Sequence, residues 1–284
     1  MVHHPQASSP LIRPLAVSAL ARDLLRDAVP FVRAVHRSGV SLAVPGCPDI
    51  CYLGAPGSGL LPLHVVVRQT DLARLIGQFD EAEAMQHRVR LELDGVRVFH
   101  LVLEAVDLQT AKARSAVDRV AAWLRMRPDA CGLGEPAAQA LSAHGRIRRT
   151  LEAATAGPQS ADPALRALIG RGAGSTPAGD DVLVGALAHA FASGANEGPL
   201  VQAMRALAPR LDQLTTAAGA TYLRAAVRGA FGGDLLAMVR ALPDLPADRA
   251  LACALRVAGH GATSGVDSLL GFVAAHEAAR STVT

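Results

Sequence analysis

Between residues 15 and 37 the apolar positions Leu20, Leu24, Ala28, Phe31 and Val35 recur three or four apart, which predicts one amphipathic helix. From Ser41 to Glu104 the period changes. Residues 41–44, 50–53, 63–67, 89–93 and 96–104 form short, β-branched runs bounded by Pro, Gly or Asp-Gly, and these read as strands. Asp94-Gly95 separates the last two and marks a hairpin turn, because both positions tolerate positive φ. After Asp107 the strand signals cease. Helical patterns occupy 111–127, 136–154, 163–169, 180–192, 200–208, 213–231, 235–241, 247–258 and 266–280. The fold class expected is α+β: a small, mainly antiparallel β-rich N-terminal part with a leading helix, followed by an all-helical C-terminal domain. Pro128 and the nearby glycines interrupt the pattern and place the boundary there, giving domains 1–128 and 129–284. Residues 1–14, with three prolines and His3-His4, read as a loose tail and not as a metal site.

Composition narrows the function classes. The 284 residues are 50% hydrophobic and 19% charged, which excludes intrinsic disorder. Aromatic residues are only 3%, so the core is built from Ala, Val and Leu, and base-stacking surfaces for single-stranded nucleic acid are excluded. The net charge of +3 is spread along the chain, and no basic run marks a nucleic-acid partner. Lys112 is the only lysine, so Schiff-base chemistry has one candidate. Cys47, Cys51, Cys131 and Cys253 form no disulfide framework, and Cys47 and Cys51 lack a second ligand pair for zinc, so all four read as free thiols. Residues 15–21 are too short for a secretory signal, and 182–195 falls short of the ~20 residues of a membrane span. A cytoplasmic location without membrane contact is expected.

The helical half contains a motif twice. Gly172-Ala-Gly174-Ser175-Thr176-Pro-Ala-Gly179-Asp180-Asp181-Val-Leu183-Val-Gly185 recurs as Gly259-His260-Gly261-Ala-Thr263-Ser264-Gly265-Val-Asp267-Ser-Leu269-Leu-Gly271, one residue shorter in the loop. The Asp-x-Leu-x-Gly spacing is identical in both copies, which chance explains poorly.

Each copy is a glycine-rich loop entering a helix. Gly172, Gly174, Gly259 and Gly261 permit positive φ or close approach of a ligand. Thr176 or Ser264 can cap the first turn, and Pro177 suits the first helical position. Such junctions expose N–H groups at a positive helix end, which suits a carboxylate or phosphate. Gly174 to Gly179 has the spacing of a phosphate-binding loop, but Asp180-Asp181 stand where Lys and Ser or Thr are required. Two carboxylates repel bare phosphate, so either a divalent cation such as Mg²⁺ intervenes or the carboxylates accept from amide or carbamoyl N–H groups. The plain alternative is that the helix dipole favours acidic first turns and that Gly185 and Gly271 let two helices cross closely.

These residues define the candidate site. Asp181, Asp267 and His260 are the candidates for catalysis, His260 because an imidazole between two loop glycines can donate to an oxyanion or carry a proton. Gly172, Gly174, Ser175, Thr176, Gly179, Asp180, Gly259, Gly261, Thr263, Ser264 and Gly265 are the candidates for substrate binding. No dedicated metal ligands are assigned. His189 and His276 lie in apolar helices and read as packing residues, and the absence of a Gly-x-Ser-x-Gly elbow argues against a serine hydrolase.

On these two loops, and more loosely on Leu223-Arg-Ala-Ala-Val-Arg-Gly229-Ala-Phe231, the chain resembles the family of the AllH subunit of bacterial oxamate carbamoyltransferase, formerly a family of unknown function. The resemblance covers the C-terminal 120 residues or so. It implies a transferase subunit in ureide or purine nitrogen catabolism, within a complex that converts oxalurate and phosphate to oxamate and carbamoyl phosphate, alongside subunits resembling FdrA and AllG. Two other readings compete with it. One is a self-sufficient Mg²⁺-dependent enzyme acting on a phosphorylated small molecule through Asp180, Asp181 and Asp267. The other is a non-catalytic assembly protein.

Overall fold

The computed structural model describes residues 10–78, 87–129 and 131–281. The tail expected around His3-His4 lies outside the described residues. The chain divides into two compact units, Met1–Leu101 and Val102–Thr284.

The first unit comprises β1 (Leu11–Ile12), β2 (Ala16–Ser18), α1 (Ala19–Leu25), β3 (Phe31–His36), β4 (Gly39–Ala43), β5 (Ile50–Gly54), β6 (His64–Val66), α2 (Gln69–Gln78), β7 (Arg90–Leu91) and β8 (Arg97–Phe99). Six strands form a sheet in the order β3-β4-β5-β6-β2-β8, while β1 and β7 pair separately. The β3–β4, β4–β5 and β2–β6 pairs are antiparallel, whereas β5–β6 and β2–β8 are parallel, so the sheet is mixed. Val17, Val32, Val40, Leu42, Leu53, Val65 and Leu75 are buried in this unit.

Two local expectations are corrected here. The helix expected over 15–37 is confined to Ala19–Leu25, started by the Ser18 hydroxyl accepting from the Ala21 N–H at 3.2 Å. Pro30 biases the residue before it away from helix, and the β-branched Val32 and Val35 then continue as strand β3. At Asp94-Gly95 the turn forms, with Gly95 at φ +71° and the Val96 N–H on the Leu93 carbonyl at 3.2 Å. No hairpin follows. The N–H groups of Val89, Arg90 and Glu92 are taken by the carbonyls of Pro30, Pro10 and Ile12, so β7 joins β1 while β8 joins β2.

The second unit contains α3 (Ala111–Arg125), α4 (Ala137–Ala140), α5 (Arg146–Ala156), α6 (Pro158–Arg166), α7 (Ala178–Ala192), α8 (Pro199–Leu207), a 3₁₀ turn (Ala208–Gln213), α9 (Ala217–Val227), α10 (Gly233–Ala241), α11 (Ala247–Ala258) and α12 (Ser264–Ser281). Helix α3, on the N-terminal side of the boundary expected near residue 128, packs on α11 and α12. The helix expected over 136–154 is split into α4 and α5, because Gly145 closes a turn in which a Cβ would stand 2.3 Å from the carbonyls of Gln139 and Ala140.

Helices α7 and α12 form the centre. Both are buried around almost their whole circumference, as apolar-all-round sequences require, with α3, α5 and α11 packed on α12, and α8 and α9 on α7. Among the described residues no helix is long and apolar enough to cross a membrane.

Candidate functional site at two paired helix starts

The duplicated sequence is a duplicated structure. Gly179 and Gly265, each two residues before the motif Asp, lie against a carbonyl of the preceding segment: an added Cβ would stand 2.0 Å from Leu168 O and 1.8 Å from Val257 O. Their N–H groups donate to Arg171 O at 2.8 Å and His260 O at 3.1 Å, folding each loop back on itself. One turn beyond each Asp the copies meet. A Cβ on Gly185 would fall 1.8 Å from Ser268 O, and one on Gly271 would fall 1.9 Å from Val182 O. Each glycine therefore touches the residue that follows the other copy's Asp, and the helices exchange contacts about an approximate two-fold relation. Further along, His189 packs edge-on to Phe272 and His276, with ring centroids 5.4 Å apart in both cases, so α7 and α12 run side by side in one direction.

The two starts are joined by hydroxyls. Thr176 Oγ1 and Ser264 Oγ lie 3.0 Å apart. Thr176 does not cap α7: Pro177 occupies the N-cap position and no side chain bonds to the first turn. Asp181 is 7% exposed, and burial pushes its carboxyl up to about 7; the Ser264 hydroxyl opposes this, the charges of Asp267 and Asp180 add to it, and Thr176 opposes it again. Asp267 is fully buried, and burial likewise raises its carboxyl against the Thr263 hydroxyl and the Gly132 N–H, which donates to Oδ1 at 3.0 Å. Among the described residues, Oδ2 of Asp181 and Oδ2 of Asp267 have no hydrogen-bond partner.

Asp180 belongs to a different set of contacts. Its Oδ1 accepts from the Gly170 N–H at 2.8 Å, its Oδ2 accepts from the Thr215 hydroxyl, and it packs against Gly219 of α9. The adjacent aspartates thus tie α7 in two directions, one toward α9 and one toward α12. Among the described residues no group of three or more His, Cys, Asp or Glu is placed to hold a metal ion.

The loops carry the remaining candidates. Gly172 and Gly174 adopt φ +103° and +102°, and Gly261 adopts +63°, conformations that favour glycine. Gly259 differs from expectation, since it caps α11 in an ordinary helical conformation with φ −75°. Gly172, Gly174, Ser175, Gly259 and Gly261 are exposed, while Thr176, Thr263 and Ser264 are half-buried. The Ser175 carbonyl accepts from the Thr216 hydroxyl at 2.5 Å. The first-turn N–H groups are less available than a helix start suggests: those of Asp180 and Asp181 bond to Pro177 O, and that of Asp267 bonds to Thr263 O.

Sequence reasoning missed two participants. Gly132, from the turn before α4, reaches Asp267 across 135 residues, and its neighbour Cys131 is a buried thiol held up by burial. Asp234, in the first turn of α10, meets His260 Nε2 at 2.6 Å, with Arg256 at 3.5 Å on its other oxygen. His260 is thereby oriented by a carboxylate. His189 and His276 are buried, and burial pushes His189 down to about 3 and lowers His276 as well, leaving both neutral in the helix interface.

Residues 168–276 match the family of oxamate carbamoyltransferase subunit AllH. This AllH match takes in both copies of the motif, all of α7 to α11 and most of α12, and it agrees with the resemblance carried by the two loops. It relates this region to a subunit of an oxamate carbamoyltransferase system. No solved structure matches the chain. Within the AllH-matching region, Thr176→Val is expected to cost about 1 kcal/mol by removing the hydroxyl bridge between the copies, measured as a lower urea midpoint. An unchanged midpoint would mean that the bridge contributes nothing.

Proposed function

We propose that the chain is a subunit of an oxamate carbamoyltransferase-like complex in ureide or allantoin-type nitrogen catabolism, working in the cytoplasm with partner subunits resembling FdrA and AllG. The observation that carries this reading is the pair of buried Oδ2 atoms of Asp181 and Asp267, without a hydrogen-bond partner among the described residues, at two bridged helix starts inside the region that matches AllH. A small carboxylate, carbamoyl or phosphate ligand is held at the loops by Gly172, Gly174, Ser175, Thr176, Gly259, Gly261, Thr263 and Ser264. Gly179, Gly265 and Asp180 shape the loops from beneath. Asp181, with its carboxyl near neutrality, is suited to move a proton, Asp267 to orient the reacting group, and His260, set by Asp234, to act at the rim.

Reconstitution tests this. The chain mixed with its partner subunits, oxalurate and phosphate is expected to form carbamoyl phosphate, with little turnover by the chain alone. Asp181→Asn is expected to lower turnover about 100-fold or more. No activity with oxalurate in the full complex would remove the proposal. An assembly role draws support from the first-turn N–H groups already bonded within the chain. Under that role the same variant changes stability and leaves turnover unaltered.

A further inference from the structure

Beyond the glycine crossing, α7 and α12 continue side by side through a pair of histidines. His189 stands one turn after Gly185, and its ring meets Phe272 and His276 edge-on, at 5.4 Å between centroids in both cases. The two histidines are 6% and 2% exposed, and among the described residues Nε2 of His276 has no hydrogen-bond partner. Ala186, Leu187, Phe272, Val273 and Ala275, from the same turns of the two helices, are buried as well. An imidazolium formed here loses its hydration without gaining an acceptor in return.

The surrounding charges do not relieve that cost. Among the described residues, His276 is the titratable group that acts on His189. On His276 itself burial has the largest effect; Arg280 of its own helix and Arg114 of α3 act with burial, while Asp118 of α3 and Glu277 of α12 oppose it. Those two carboxylates are already engaged. Asp118 lies 3.2 Å from Arg280, and Glu277 is held by Arg125 at 2.5 Å and by Arg148 of α5 at 3.0 Å. On the other helices of the pair's surroundings, Arg224 of α9 is paired with Asp212 at 3.0 Å, Arg205 of α8 with Glu197 at 2.6 Å and Arg256 of α11 with Asp234 at 3.5 Å. The first proton taken up also hinders the second, because the two rings are neighbours.

We propose that the His189–His276 contact is an acid-sensitive latch between α7 and α12, closed while both rings are neutral and released when either takes a proton. Release loosens the C-terminal halves of the two helices. Their N-terminal halves stay together, because Gly185 and Gly271 hold backbone against backbone there. Both rings bind a proton less readily in the folded protein than in the unfolded chain, so the stabilisation is complete above the ordinary 6.5 and is lost as pH falls below it. Asp181 titrates in the opposite sense, so the latch is read from pairs of proteins that both keep Asp181. It does not depend on what the loops bind.

Urea unfolding of the full chain, of His189→Gln and of His276→Gln, at about pH 7.5 and about pH 5, tests the latch. The ratio of unfolding constants, parent over His189→Gln, is expected to rise at least about tenfold between the higher and the lower pH. The ratio of parent over His276→Gln is expected to rise in the same direction. Hydrogen exchange locates the release. After correction for intrinsic rates, amides of residues 189–192 and 275–279 in the parent are expected to lose about tenfold more protection at the lower pH than those of 182–186 and 268–271, and to keep it in the variants. The same pH dependence in parent and variants, or a loss of protection spread evenly along both helices, would overturn the proposal. If neither variant folds, the exchange pattern of the parent carries the test together with ring ¹⁵N NMR of His189 and His276, and rings that titrate near 6.5 in the folded protein would overturn it.

Discussion

Alanine at Gly185 is expected to destabilise the helical unit by about 3 kcal/mol. Helix propensity alone favours the opposite sign, since alanine gains about 1 kcal/mol over glycine inside a helix. Packing decides against it. The new Cβ would lie 1.8 Å from Ser268 O and 2.9 Å from the Phe272 nitrogen, both backbone atoms of α12 that no rotamer change can move aside. The helices would have to separate, loosening the contacts of Val182, Leu183, Leu269 and Phe272, which are almost entirely buried. Because Gly271 faces Val182 O in the equivalent way, Gly271→Ala is expected to behave alike. Trp123, the single tryptophan, lies in α3 of the same unit, and its fluorescence in urea follows the transition. A midpoint raised by either substitution would mean that the two helices do not cross this closely.

Asp181→Asn is expected to stabilise the protein, and to do so only away from acid. The folded protein holds the Asp181 proton up to about pH 7, against an ordinary value of 3.8, so the folded state binds more protons than the unfolded chain between these limits. Stability therefore falls as pH rises through that window and levels off above it. A shift of about 3 units corresponds to roughly 4 kcal/mol. Asp180 and Asp267, also raised by burial, contribute slopes of the same sign. Asparagine cannot ionise and avoids the cost. The variant's advantage is expected to approach about 4 kcal/mol at pH 8 and to vanish below about pH 4. Urea midpoints at pH 4, 6 and 8 measure it. A variant less stable than the parent at pH 8 would show that the carboxylate has a favourable partner. Keeping an ionisable group where it costs stability is the pattern expected of a functional site.

The pairing of the two copies was legible in the sequence because it is a matter of spacing: Asp181 and Gly185 repeat as Asp267 and Gly271, and equal spacing makes equal contacts. The close-crossing role left open for Gly185 and Gly271 is the one they perform. What the loop glycines face was not legible. Gly179 and Gly265 resemble ligand-facing glycines in sequence, yet preceding carbonyls cover them, and Gly259 needs no left-handed conformation because it ends α11. Gly132 and Asp234 were missed because their contacts with Asp267 and His260 are set by tertiary packing and leave no local pattern. In the sheet unit the apolar run through Phe31 and Val35 fits a helix or a strand, and Pro30 decides between them. The Asp94-Gly95 turn was legible, but turn chemistry does not say which strands its two arms join.

Two duplicated helix starts bring two buried carboxylates, Asp181 and Asp267, near enough that the charge of one acts on the other. Carboxyl ¹³C NMR titration of Asp181 in the parent protein and in Asp267→Asn measures this most directly. Asp181 is expected to titrate near 7 in the parent and lower once the Asp267 charge is gone. Titration near the ordinary 3.8 in both proteins would contradict it.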